Sequence, residues 1–380
     1  MKDTSTKAGK YLFLYLKTGW WHISTAKALE RFFQKQDANH IEVIMADGLE
    51  KSYPIIKKFI VDGYAAAQAY GKWAYEFLYL LNKCYPMTKI HQNILALAIK
   101  SHIKDIILQE KPNKIVVFHF LLIKPVQQAL KELGLDIPVV TIVTDPFTGT
   151  RTRFMEKNMK YIVYSERMKL YAMSLWIEEK NIKVFPPVIN EKFEQVLSLD
   201  RQQEIKTSLH IPLQKKVILL LGSGDGFPKW RAILQQLCDM WVKDQVCIVC
   251  GRNQKLFRQA QEIKEKYPEF NLLIFGFIDF VYDLINISDI IFTKWWPATI
   301  FEILLCGKIP LIHTYMREQE KWNVEFVVDN KVGIYQKNIK KLTTIAKEMM
   351  DEDLSSYHRT IQNLNLKIWT ADIAEYIKEL

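Results

Sequence analysis

Short apolar runs separated by stretches of helical spacing make up most of the chain. The first half holds YLFLYL (11–16), HIEVIMAD (40–47), KIVVFHF (114–120), IPVVTIVTD (137–145), YIVYS (161–165) and IKVFPPVI (182–189). ISTAKALERFFQKQ, after the first run, has the period of an amphipathic helix. Strands that are apolar throughout, rather than alternating, belong in a parallel sheet covered on both faces. After a polar, helical stretch near 190–206 the same grammar restarts with VILLLGSG (217–224), QVCIVCG (245–251), NLLIFGF (271–277), DIIFT (289–293), IPLIHT (309–314) and VGIYQ (332–336). The expectation is an α/β protein with a first domain over 1–195, a second over 196–355, and, by analogy, a C-terminal helix over 356–380 that packs back on the first domain.

Length agrees with this division, because 380 residues exceed what one core usually supports. A hydrophobic fraction of 49% excludes long disorder. Lys and Arg outnumber Asp and Glu by 52 to 42, which suits anionic lipid, nucleic acid or phosphate-bearing substrates without choosing among them. No run approaches the roughly 20 apolar residues of a membrane span, and the start lacks a signal-peptide core, so the cytoplasm is the expected compartment. Cys247 and Cys250 have a CxxC spacing, but along a strand they point to opposite faces, which argues against a shared metal or a redox turn.

Candidate chemistry collects where strands end. LLLGSGDGF runs an apolar strand into Gly222, Gly224 and Gly226 ahead of the helical KWRAILQQLCDMW. Glycines there can let backbone N–H groups and a helix N-terminus meet a diphosphate; a purely steric turn is the alternative. Gly251, Arg252 and Asn253 end the next strand and Gly276 a third, so one crevice along a sheet edge is expected. In TKWWPATIFEILLCGKIPLIH, Pro297 opens a helix, Thr299 can cap or bond an anion, and Glu302 lies one turn on, placed to hold ribose hydroxyls. Gln319 and Glu320 offer partners for sugar hydroxyls. In the first half His22 stands between the first strand and helix, where a near-neutral pKa suits a proton acceptor. Tyr64, Tyr70, Trp73, Tyr75, Phe77 and Tyr79, with Lys72 and Lys83 among them, suit a membrane interface or lipid groove, or equally a buried aromatic helix.

KTGWWHISTAKAL, TIVTDPFT, LLLGSGDGF, CGRNQKL, FGFIDF, TKWWPATIFEILLCGKIPLI and REQEKWN, in this order, resemble the diacylglycerol glycosyltransferases: the monogalactosyldiacylglycerol synthases and processive diacylglycerol glucosyltransferases. The resemblance implies a glycosyltransferase B fold, two Rossmann-like domains facing across a cleft. It implies inverting transfer of a hexose from a UDP-sugar (UDP-glucose or UDP-galactose) to diacylglycerol or a related lipid, peripherally at an anionic membrane surface. No nucleic acid, metal or cofactor enters this mechanism. By motif position Gly222, Ser223 and Gly224 would contact phosphate, Gly251, Arg252, Asn253 and Phe277 the base region, and Glu302 the ribose. Gln319 and Glu320 would hold the sugar, supported by Asn323; His22 would be the base, and Asp145 would sit by the acceptor.

Three departures stand out. Trp20 and Trp21 replace glycines ahead of the histidine, Trp295 and Trp296 replace small residues at the donor loop, and Thr150 and Arg153 stand where the family commonly has histidine and tryptophan. Tryptophan does not readily take positive φ, so weakened transfer is expected, and a non-catalytic nucleotide-sugar or anionic-lipid binder of the same fold is the alternative.

Overall fold

The computed structural model describes residues 9–17, 20–37, 40–50, 85–147, 149–222, 228–294, 296–315 and 317–380. The chain divides into two compact units, one of Met1–Glu191 with Ile368–Leu380 and one of Lys192–Lys367.

The first unit runs β1 (Gly9–Tyr15), α1 (Trp20–Gln36), β2 (Ile41–Asp47), α2 (Tyr85–Glu110), β3 (Lys114–Val117), α3 (Ile123–Leu133), β4 (Val139–Ile142), β5 (Lys160–Val163), α4 (Glu166–Ser174) and β6 (Ile182–Val184). The second runs α5 (Leu199–Ser208), β7 (Val217–Leu221), α6 (Trp230–Asp239), β8 (Gln245–Val249), α7 (Gln254–Lys266), β9 (Leu272–Phe275), α8 (Val281–Ile287), β10 (Ile290–Thr293), α9 (Pro297–Leu305), β11 (Ile309–Ile312), α10 (Arg317–Asp329), β12 (Ile334–Tyr335), α11 (Ile339–Asp351) and α12 (Ser355–Asn363). A last helix, α13 (Thr370–Glu379), returns to the first unit.

Each unit carries a six-stranded sheet, ordered β2-β1-β3-β4-β5-β6 and β12-β11-β10-β7-β8-β9, and every pairing is parallel. This is the α/β class expected, and each apolar run of the sequence holds one strand. β1 shows why both faces must be covered: Leu12 and Leu14 enter one core and Tyr11 and Phe13 the other. Burying each such side chain stabilises by about 1.5–3 kcal/mol. α3 presents Ile123, Val126, Ala129 and Leu130 to the core and stops at Gly134, whose φ of 63° is cheap only without a Cβ.

The stretch at 356–380 does not move as one piece. Ile361, Leu364 and Leu366 pack into the second unit's core, so α12 stays there. Ile373, Ala374 and Ile377 of α13 join Leu29 and Phe33 in the first unit. Lys114 Nζ caps α13, donating to the Ile377 carbonyl at 2.9 Å and to that of Lys378.

Order reversals in the two sheets set where ligands can bind. In the first, β1 is followed by β2 on one side and β3 on the other; in the second, β7 is followed by β8 on one side, and β10 lies on the other. Loops leaving the carboxyl ends of β1 and β3, and of β7 and β10, therefore diverge and leave a crevice.

Candidate active site

His22 and His119 occupy the first unit's switch point, one just after β1 and the other just after β3. Their rings meet edge to face with centroids 4.6 Å apart. His22 Nδ1 lies 2.8 Å from Thr144 Oγ1, and the Phe118 carbonyl accepts an N–H of the same ring. His119 caps a short 3-10 turn, its Nδ1 accepting the Leu121 N–H at 3.3 Å, so the proton of the neutral ring sits on Nε2. Burial lowers the pKa of both rings; Asp145 pulls that of His22 back up, while Arg153 pushes both down. A neutral histidine is the form that accepts a proton.

Asp145, after β4, is not free. Arg153 donates to Asp145 Oδ2 through Nε at 2.9 Å and through a second N–H, and its remaining arm reaches Thr150 Oγ1 at 3.0 Å. The guanidinium carbon also lies 5.2 Å over the Phe120 ring. With side-chain exposures of 9% and 17% the pair is largely removed from water, and deleting one partner of such a pair costs about 3–5 kcal/mol. A pocket of about 10 Å³, close to the size of one water, lies between His22, Phe120, Thr141, Thr144 and Arg153. A larger hollow of about 640 Å³ includes Val139 and Lys160, the first residues of β4 and β5, so it lies at the opposite, amino-terminal edge of the sheet. Strand carboxyl ends, not that groove, carry the convergent polar groups.

In the second unit the ends of β7, β8 and β9 lie side by side, and β10 flanks β7 on the other edge. The sheet thus gathers Gly222, Gly251 and Gly276 along one rim. Gly251 has φ 59°, and a Cβ on Gly276 would come within 4.0 Å of the Gly251 carbonyl. Arg252 stacks over Phe277 at 4.3 Å, and Phe277 is 63% exposed, a flat face turned to solvent. Asn253 differs from its expected role in part: its side chain accepts the Leu256 N–H at 2.9 Å as the N-cap of α7. Thr299 and Glu302 lie on α9, opened by Pro297. Glu302 keeps some solvent contact, yet apolar surroundings push its carboxyl up to about 8. Glu320 and Asn323, three residues apart on α10, are both buried on one face.

Some expectations fall outside the described residues: Ser223, Gly224, Trp295, the aromatic stretch with Tyr70, Trp73, Tyr75 and Phe77, and the side chains of Trp20 and Gln319. The other two indoles sit differently from the expectation of rings forced into a glycine backbone. Trp21 belongs to α1, packs against the first unit's core and donates Nε1–H to the Thr144 carbonyl at 2.6 Å. Trp296 has extended backbone, packs on the second unit's core and lies under Lys294 at 4.7 Å. Neither takes positive φ.

Two histidines escaped the sequence reading. His119 and His313 each follow an apolar strand directly, in KIVVF-H and IPLI-H, and that polar step was the available signal. His313 is buried near the Pro228 carbonyl, and burial brings its pKa down to about 4. The four cysteines described are buried thiols, and no group of His, Cys, Asp and Glu among the described residues is arranged to hold a metal.

Residues 22–189 match the family model for monogalactosyldiacylglycerol (MGDG) synthase. Monogalactosyldiacylglycerol synthase 3 of Arabidopsis thaliana is 24% identical over 375 residues, covering 93% of this chain and 76% of that protein. The processive diacylglycerol beta-glucosyltransferase of Bacillus pumilus is 23% identical over 97% of this chain and 94% of its own. Among solved structures, MurG of Acinetobacter baumannii superposes with a TM-score of 0.65 at 13% identity, covering 98% of this chain and all (100%) of that one. HepE of Anabaena, in complex with UDP-glucose, gives 0.59 at 13% identity over 97% of this chain and 98% of that one. The chain is thus similar to the monogalactosyldiacylglycerol synthases and processive diacylglycerol glucosyltransferases, and its fold is that of the glycosyltransferase B structures.

Proposed function

We propose that this protein transfers a hexose from UDP-glucose or UDP-galactose to diacylglycerol or a closely related lipid, with inversion, from a peripheral position on the cytoplasmic face of an anionic membrane. The observation that carries the reading is the pair of switch-point crevices. One is rimmed by glycine-ended strands and a stacked Arg252–Phe277 face, and the other holds half-buried His22 against buried His119, both with lowered pKa. Relatives that glycosylate diacylglycerol and a structural neighbour holding UDP-glucose support it.

On this reading the diphosphate lies against the loop of Gly222, Ser223 and Gly224, where backbone N–H groups and a following helix N-terminus supply positive potential without a metal. Gly251 lets the chain approach the nucleotide, Arg252 and Phe277 offer it a flat face, and Glu302 accepts from the ribose. Gln319 and Glu320 hold the hexose, with Asn323 behind them. The acceptor hydroxyl oxygen attacks the anomeric carbon from the face opposite the diphosphate. The bond from that carbon to the diphosphate oxygen breaks, its electron pair leaves on UDP, and the hydroxyl proton passes to His22. The net charge of +10 favours an anionic surface, and no helix among the described residues is long and apolar enough to cross a membrane.

Radiolabelled UDP-glucose and UDP-galactose, offered separately with diacylglycerol vesicles, test the reading. Glycolipid from one of them is expected, and His22→Gln is expected to lower kcat by about 100-fold or more while UDP affinity holds. No glycolipid from either sugar sinks the transferase reading, and UDP binding without turnover would mark a binder instead.

A further inference from the structure

We propose that Arg153 is a positioning residue that keeps Asp145 as its own ion-pair partner, so that His22 alone receives the acceptor's proton. This deepens the transferase reading and rests on it.

The geometry ties Asp145 to Arg153. Two guanidinium N–H groups converge on one carboxylate oxygen, and the third arm is tied to Thr150, which fixes the fork. Phe120 lies under the guanidinium and stacks on His119 with centroids 4.6 Å apart, so Arg153, Phe120, His119 and His22 form one packed series. One Asp145 carboxylate oxygen is thereby committed to a largely buried ion pair. For His22, burial and Arg153 oppose the imidazolium and Asp145 favours it.

The charged and titratable groups that act on His22 among the described residues are Asp145, Arg153 and His119. Asp145 favours the imidazolium and Arg153 opposes it, so opposite changes are expected when each is neutralised. Arg153→Gln removes the opposing charge and unpairs the carboxylate, so the His22 titration moves up by about one pH unit. Asp145→Asn leaves the guanidinium unbalanced and moves it down. Arg153→Lys keeps the charge and leaves the midpoint nearly in place.

The test is an NMR titration of the full-length protein carrying labelled histidine, with His22 and His119 assigned through His22→Gln and His119→Gln. Opposite displacements in Arg153→Gln and Asp145→Asn support the proposal; displacement in the same direction, or none in either, overturns it. Should Arg153→Gln fail to fold, Asp145→Asn and Arg153→Lys carry the test, and an unmoved His22 in Asp145→Asn is the contrary result. Transfer assays add a second reading: the acid limb of kcat/KM is expected to follow the His22 midpoint in each variant. A loss of 100-fold or so at every pH in Asp145→Asn would make Asp145 the base and refute the proposal. Absence of transfer by the unaltered protein would defeat the functional reading alone, because the titrations stand apart from turnover.

Discussion

Glu302 carries the largest readable consequence at the scale of one residue. Its carboxyl is held near 8 in the folded chain against 4.5 when free, so below pH 4.5 both states are protonated and folding loses nothing to it. Between 4.5 and 8 the unfolded chain releases a proton that the folded chain keeps, and stability falls by up to about 1.4 kcal/mol per pH unit. Glu302→Gln cannot titrate, so its Tm advantage over the parent is expected to grow from pH 5 to pH 8 and then level off; a constant difference across that range would refute the burial argument. His313 works in the opposite sense: its pKa of about 4, below the 6.5 of a free ring, makes stability fall as pH drops through that window. Chemistry of this kind was only partly legible in the sequence. His22 could be singled out because the sequence places it at the junction of the first strand and helix. His119 looked like the tail of an apolar run, and only the β1–β3 pairing brings it against His22.

At the scale of elements, strand existence was fully readable because a parallel sheet buried on both faces writes itself as unbroken apolar runs. Strand order was not, since nothing in KIVVFHF says that it pairs with β1 rather than β2. The order matters most, because it creates the two switch points. The tryptophan pairs show the converse: a residue-level rule about positive φ misjudged Trp21, because that position is the first turn of α1 rather than a loop. Replacing it by the family's glycine is therefore expected to harm, not to restore. Trp21→Gly loses core contact, a hydrogen bond to the Thr144 carbonyl and helix propensity, together about 2 kcal/mol or more. A denaturation midpoint that is unchanged or raised would contradict this placement.

At the scale of the whole molecule, the chain repeats one architecture twice and gives the copies different chemistry. The second unit's rim has glycines and a stacked cation, with a carboxyl of raised pKa on α9, and the first unit's switch point has two imidazoles and the Asp145–Arg153 ion pair. Division of the chain into two units was legible from the restart of the strand–helix grammar after residue 190. The split of the tail was not, because Ile361 and Ile373 look alike in sequence and find different cores. One measurement reaches the central claim directly: incubation of the full-length protein with UDP-glucose or UDP-galactose and diacylglycerol vesicles, followed by proton NMR of the extracted lipid. The account predicts a hexosyl-diacylglycerol with β configuration from the α-linked donor. An α-linked product, or lipid recovered without sugar from either donor, would contradict it.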